Sequence, residues 1–142
     1  MIQHKVTIHI HRPVEQVFEF TVDEKNLPKW QADFVEGEQL TEGSMRVGTH
    51  VREVRRMGPR QADIQAEVTT FEQNKRFATM TLTTPKVTVG YEFESENGGT
   101  RVTYNFTMVT SGFMRLLEPI ISGSIKKDTE ADFERLKQIL EH

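Results

Sequence analysis

Ser111 to Glu141 (SGFMRLLEPIISGSIKKDTEADFERLKQILE) is the only stretch of the chain long enough and periodic enough for a long helix. Apart from one short helical patch near the start, everything before it reads as strand. One long amphipathic helix and one sheet must then bury each other, which restricts the chain to helix packed on sheet. Within the stretch, Phe113, Leu116, Leu117 and Ile120 form an apolar cluster, and Pro119 inside it is expected to kink or restart the helix. Ile121, Ile125, Thr129, Phe133, Leu136 and Leu140 follow at three- and four-residue steps, with Asp132 at the edge of the stripe. Both ends of the stripe are large and apolar, whereas the middle, Ser122 to Asp132, is small or polar. At about 1.5 Å per residue that middle covers roughly 15 Å. A close-packed core would not leave such a gap on its covering helix; a helix gripped at both ends over a hollow would. The alternatives are that the middle packs on polar loop residues, or that Gly123 breaks the helix.

The strands have their own signatures. His4 to His11 alternates, with Val6, Ile8 and Ile10 on one face and Lys5, Thr7, His9 and His11 on the other. Pro13 suits a first helical turn, and Val14, Val17, Phe18 and Thr21 share a helical face that ends near Asp23. Pro28 discourages helix at Leu27, and Lys29-Trp30 adds one further turn. A short strand is expected at Phe34–Leu40, a long one at Val47–Met57, and further strands at Ala62–Val68 and Phe77–Thr83, separated by turns at Glu42-Gly43-Ser44, Gly58-Pro59 and Glu72 to Lys75. Val87, Val89, Tyr91 and Phe93 then share one face, as do Val102, Tyr104, Phe106 and Met108 beyond Asn97-Gly98. Asn-Gly is the favoured two-residue hairpin loop because both positions need positive φ. Centring the turn there pairs Phe93 with Val102, Tyr91 with Tyr104, Val89 with Phe106 and Val87 with Met108. The order strand, short helix, about six antiparallel strands, long helix is that of an α+β fold with an antiparallel sheet covered by helix.

Composition narrows the function. At 142 residues the chain has the length of one domain. Its net charge is -3 with mixed signs, so it lacks the basic stripe of a nucleic-acid binder. It has no cysteine, which excludes disulfides and thiolate chemistry and fits a reducing cytoplasm. The first residues carry no apolar leader, and no apolar run approaches a membrane span, so stable membrane insertion is not expected. Leu140-Glu141-His142 reads as a remnant of an affinity tag. No Gly-rich phosphate loop, GxSxG or HExxH is present, and no cofactor is expected. Oligomeric state is not legible.

The order of several weak motifs resembles a known family. After the alternating first strand come Pro13-x-x-x-Val17-Phe18 and Asp23-x-x-x-x-Pro28-x-Trp30, then Val47-Gly48-Thr49, Phe71-Glu72 before Arg76-Phe77, and Gly99-Thr100-Arg101-Val102-Thr103. Phe113-Met114-Arg115-Leu116-Leu117-Glu118-Pro119 and Leu136-Lys137-x-x-Leu140-Glu141 close the pattern. It resembles the polyketide cyclase/dehydrase and lipid-transport family of the START-like (SRPBCC) superfamily over nearly the whole chain. The resemblance implies a helix-grip fold, in which a curved antiparallel sheet wraps the long C-terminal helix around an internal cavity. It also implies either a small hydrophobic ligand or acid/base work on a polyketide-like substrate. The related Hsp90-ATPase-activator-like group tends to carry Gly-Trp before the last helix; here Gly112-Phe113 stands there.

Candidate ligand-facing residues follow, each with a plainer alternative. Tyr91 and Tyr104 would put two phenols into the cavity, or simply brace the sheet as a cross-strand pair. Glu53 and Arg55 share the face of Val51 and could orient a carbonyl or phenol, or lie solvated beyond the core if a bulge near Gly48 swaps faces. His50, on the opposite phase, is the imidazole expected nearest the cavity mouth, though facing outward. Asp128 and Asp132, one turn apart, would be an acid/base pair if turned inward, or surface charges beside Lys127 and Arg135. Trp30 would cap the mouth or anchor the short helix. Met80, Phe106, Ile121, Ser124, Ile125 and Thr129 complete the expected lining. His9 and His11 share a face, but no third ligand accompanies them, so no metal is expected. The reading is binding of a small hydrophobic or aromatic molecule, with a cyclase/dehydratase-type enzyme and a protein-interaction module as alternatives.

Overall fold

The alternating segments zip into one antiparallel sheet. The computed structural model describes residues 1–142. Strands β1 (Ile2–Ile10), β2 (Phe34–Gln39), β3 (His50–Met57), β4 (Arg60–Glu72), β5 (Arg76–Thr81), β6 (Val87–Glu96) and β7 (Gly99–Met108) lie in the order β1-β7-β6-β5-β4-β3-β2. Helices α1 (Val14–Val22) and α2 (Leu27–Trp30) carry the chain from β1 across to the far edge at β2. A meander then returns it until β7 closes beside β1, and α3 (Phe113–Leu116) and α4 (Glu118–Glu141) follow. This is the curved-sheet, helix-grip architecture that the strand order and the long helix imply.

The β6–β7 hairpin has the expected register in all four pairs, Phe93 to Val102, Tyr91 to Tyr104, Val89 to Phe106 and Val87 to Met108. Asn97 and Gly98 both take positive φ, 48° and 77°, as a two-residue turn that follows the strand twist requires. Register also decides the neighbours' faces. Phe77 stands beside Tyr91 on the inner face, so Thr79 and Thr81 follow it inward. Met80, paired with Glu67 and Thr88, therefore falls on the outer face and does not line the interior as expected.

Strand β3 begins at His50, not at Val47. Gly48 takes φ of 93°, and the chain turns on itself there, with Thr49 N–H donating to the Arg46 carbonyl. Val47 is left exposed, while Val51, Glu53 and Arg55 keep one phase along β3 and face inward, opposite Ala66, Ile64 and Ala62.

The long helix restarts as expected: α3 ends at Leu116, and Pro119 sits in the first turn of α4, where its missing N–H costs nothing. Gly123 does not break it. The grip, however, is one-sided. Phe133 and Leu136 are buried, but Phe113, Leu116 and Ile120 are 73–76% exposed. The apolar cluster at the N-terminal end does not clasp the sheet, and the buried residues of α4, Phe133 and Leu136, lie in its C-terminal half. That half is pinned by hydrogen bonds. His11 N–H donates to the Glu141 carboxylate at 2.8 Å and Arg12 to the Glu141 carbonyl at 3.0 Å. Leu140 packs against the core, so both it and Glu141 take part in the fold.

Candidate functional site

The interior beneath the C-terminal half of α4 is aromatic. Tyr91 and Tyr104, delivered side by side by the hairpin register, have ring centroids 5.1 Å apart. Phe133 of α4 stands 4.9 Å from Tyr104, and Trp30 packs 5.2 Å from Phe133. Trp30 is thus the anchor of α2 against α4 and not an exposed cap; its indole N–H is buried with no hydrogen-bond partner. Burial first, and then the neighbouring phenol, pushes the Tyr91 hydroxyl well above its usual pKa. Burial likewise raises Tyr104, against the pull of Arg55. Both therefore remain neutral donors. Neither hydroxyl bonds to another group of the chain, and neither is among its sealed unpartnered polar atoms, so both keep contact with accessible space.

Against the phenols lies a compact charge cluster. Arg55 donates to a Glu53 oxygen from Nε at 3.1 Å and Nη2 at 2.9 Å, and to Asp33 from Nη1 at 3.1 Å. Its guanidinium also covers the Phe34 ring at 4.9 Å. Burial alone would weaken the cation, but Glu53 and Asp33 outweigh it and hold the guanidinium above its usual pKa. Glu53 and Arg55 are thus inward and largely covered, not solvated at a strand end, with side chains 15% and 24% exposed.

Sequence reasoning passed over a strongly perturbed group, Glu24. It lies in the polar stretch after α1, where an acid carries no pattern signal, yet it is buried. Burial, then the charge of Glu53 and a hydrogen bond shared with it, pushes its pKa up to about 9. Glu24 is therefore a carboxylic acid at neutral pH, and its Oε2 is buried with no hydrogen-bond partner in the chain. Room for it comes from Gly37, the β2 residue paired with Glu53: a Cβ there would stand 2.6 Å from Glu24 Oε2. Glu24, with Phe18, Val22, Gly37, Met45 and Phe71, lines a groove of about 450 Å³ between α1 and β2.

Asp132 and Asp128 part company. Asp132 is largely covered, accepts from Ala32 N–H and from Arg135, both at 3.1 Å, and is raised above its usual pKa by burial, which those hydrogen bonds oppose. Arg135 also donates to the Trp30 carbonyl at 2.7 Å, so this pair ties α4 to α2. Asp128 and Ser124 are exposed and lie outside the cluster, so the expected Asp128/Asp132 pair does not form.

Towards the N-terminal half of α4 the interior loosens. Phe106, Val89, Met108, Ile121, Ile125 and Thr129 are only half-buried, although the same strands bury Tyr91, Phe93, Val102 and Tyr104. Val51 is buried on the inner face of β3. His50 faces outward, 2.9 Å from Glu67, and His9 bonds the Glu96 carbonyl at 2.8 Å on the outer face. The inner imidazole is His4, stacked 6.3 Å from Phe106. Its place was legible in strand parity, since it precedes Val6, Ile8 and Ile10 at even steps, but a polar residue at an apolar position gave the pattern nothing to count.

Comparison with known proteins agrees with this architecture. The sequence profile described as polyketide cyclase/dehydrase and lipid transport matches residues 1–141. No curated protein sequence matches the chain. Among solved structures, TTHA0849 from Thermus thermophilus superposes with a TM-score of 0.80 at 17% identity, covering 96% of this chain and 94% of that one. A START superfamily protein from Mycobacterium smegmatis gives 0.79 at 12% identity, covering 98% and 97%. DynU16, from the dynemicin biosynthetic locus, gives 0.71 at 17% identity, covering 99% of this chain and 48% of that one. At these identities the likeness is one of fold.

Proposed function

The chain belongs to the polyketide cyclase/dehydrase and lipid-transport family, and from that premise we propose that it binds a small hydrophobic or aromatic molecule bearing an oxygen function, on the inner face of the sheet beneath α4. The observation that carries this reading is the pair of buried phenols, Tyr91 and Tyr104, with no partner in the chain, at the end of an apolar face that is only half covered. Apolar burial would supply most of the affinity, and the phenols and Arg55 would fix orientation. Val51, Phe106, Ile121, Ile125 and Thr129 would form the apolar walls. Ligand-observed NMR and native mass spectrometry against lipids and aromatic polyketides test it. Binding that weakens in a Tyr91→Phe/Tyr104→Phe variant supports the reading; no binding at millimolar concentration sinks it.

A second reading, acid/base catalysis on a polyketide-like substrate, is favoured by one observation. Glu24 and Glu53 form a carboxyl pair with one member held protonated, the arrangement that separates acid from base. If the protein is such an enzyme, Glu24→Gln abolishes turnover of a bound polyketide while leaving its affinity within about twofold. Turnover unaffected by Glu24→Gln and Glu53→Gln would leave binding alone.

A further inference from the structure

The turns of an antiparallel sheet alternate between its two ends, and register tells which end each belongs to. Met57 pairs with Arg60 across the β3–β4 turn, Thr81 pairs with Ala66, and Val87 pairs with Met108. The β3–β4 turn, the β5–β6 turn and the exit of β7 into α3 therefore share one end of the sheet. Val109 N–H donates to the Lys86 carbonyl at 2.9 Å, which ties the last two together. Each of the three carries large apolar side chains exposed to solvent. Phe113, Leu116 and Ile120 are 73–76% exposed, at three- and four-residue steps along α3 and the start of α4, and Met57, Leu82 and Val109 are 47–59% exposed. Apolar side chains gathered in this way mark a surface that is covered in use.

The charges of the same segments tell what covers it. Residues 56–60, 82–87 and 109–120 carry the exposed cations Arg56, Arg60, Lys86 and Arg115. They hold one carboxylate, Glu118, which the Thr110 hydroxyl bonds. The chain as a whole is acidic, with a net charge of -3, so this end runs against the general balance. Cations set among exposed apolar side chains fit an anionic lipid surface. A second copy of the chain fits poorly. In a two-fold contact the same patch meets itself, and Lys86 and Arg115 would face their own images. A folded acidic protein needs one continuous complementary face, whereas these side chains stand on separate turns and a helix. A lipid surface deforms around all of them. No helix of the chain is long and apolar enough to cross a membrane, so the helical part of the contact lies on the surface.

We propose that this end of the sheet docks reversibly on an anionic lipid surface, with Phe113, Leu116 and Ile120 entering the interface and Arg60, Lys86 and Arg115 meeting the headgroups. The docking does not depend on which molecule the interior holds.

Flotation of the whole protein with vesicles tests it, using phosphatidylcholine alone and equal parts phosphatidylcholine and phosphatidylglycerol. The protein is expected to float with the anionic vesicles and not with the neutral ones. It should be released as salt rises from roughly 0.05 M to roughly 0.5 M. Phe113→Ser and Leu116→Ser, at exposed positions outside the core, should each weaken binding about tenfold while circular dichroism stays unchanged. Arg115→Gln should weaken it about fivefold, the worth of one cation beside an anionic surface. Lys75→Gln, in the turn at the opposite end of the sheet, should change it less than twofold. Equal binding to both vesicles, anionic binding that survives Phe113→Ser and Leu116→Ser, or no flotation at all overturns the proposal. Dimerisation in size-exclusion chromatography that Leu116→Ser abolishes, without flotation, would assign the patch to a second copy instead.

Discussion

Replacing Glu24 by glutamine should make the protein more stable at pH 8 than the unsubstituted chain, and the reason is a proton. The folded carboxyl has a pKa of about 9, against an ordinary value of 4.5. Between those two values the native state holds a proton that the unfolded chain has released. The unfolded state thus binds fewer protons, and stability falls as pH rises through the window. This is the opposite of a salt-bridged carboxylate, whose contribution is lost in acid. Each pH unit inside the window costs about 1.4 kcal/mol. From pH 5 to pH 8 that is about 4 kcal/mol, reduced to about 2–3 kcal/mol if the segment after α1 opens and lets water reach the group. Glutamine keeps the shape over Gly37 and an N–H to donate to Glu53, but has no proton to lose. Urea unfolding at pH 5 and pH 8 should therefore show Glu24→Gln gaining about 2–4 kcal/mol relative to the unsubstituted protein between the two values. Carboxyl-carbon NMR should place the Glu24 midpoint several units above that of an exposed glutamate. Parallel stability profiles, or a midpoint near 4.5, would refute the buried-acid assignment.

Three further outcomes are expected. Gly37→Ala puts a methyl 2.6 Å from both Glu24 Oε2 and the Phe34 ring, so it should cost about 1–3 kcal/mol and return the Glu24 midpoint towards the ordinary range as the carboxyl is expelled; unchanged stability and midpoint would mean the cradle is dispensable. Thr129→Phe, from the half-buried side of α4, should block ligand binding with the fold intact, whereas Ser124→Phe, on the exposed side, should not; circular dichroism and ligand titration of the two separate them. Leu136→Ala should cost about 2–5 kcal/mol in urea unfolding, while Leu116→Ala, three-quarters exposed, should fall within about 0.5 kcal/mol.

Much of the fold could be read directly from residue order. The period-2 runs, the Asn97-Gly98 turn and the restart at Pro119 are local signals, and each acts locally: alternation selects a strand face, positive φ selects a turn, a missing N–H selects a first helical turn. Hence the hairpin register, and with it the Tyr91–Tyr104 pair, needed no tertiary information. Where local signal was interrupted the reading slipped. Val47 shares parity with Val51, but Gly48 turns the chain between them; Met80 is apolar and looked interior, but its phase is set by its partners Glu67 and Thr88.

The site itself was half legible. Tyr91, Tyr104, Glu53 and Arg55 follow from strand phase, so they could be named. Glu24 could not, because its burial depends on Gly37 leaving a space across the sheet from a loop, and no spacing rule connects residues on unrelated elements. His4 could be placed on a face, but its contact with Ser122, 118 positions later in the chain, could not. The long helix shows the same division. Its apolar stripe and polar middle are written in Ser111 to Glu141. Which end would grip was decided by tertiary contacts alone, since α2 and β1 reach Phe133 and Leu136 and leave Phe113, Leu116 and Ile120 in solvent. Periodicity says which side of a helix is greasy; only the neighbouring surfaces say which part of that side is covered.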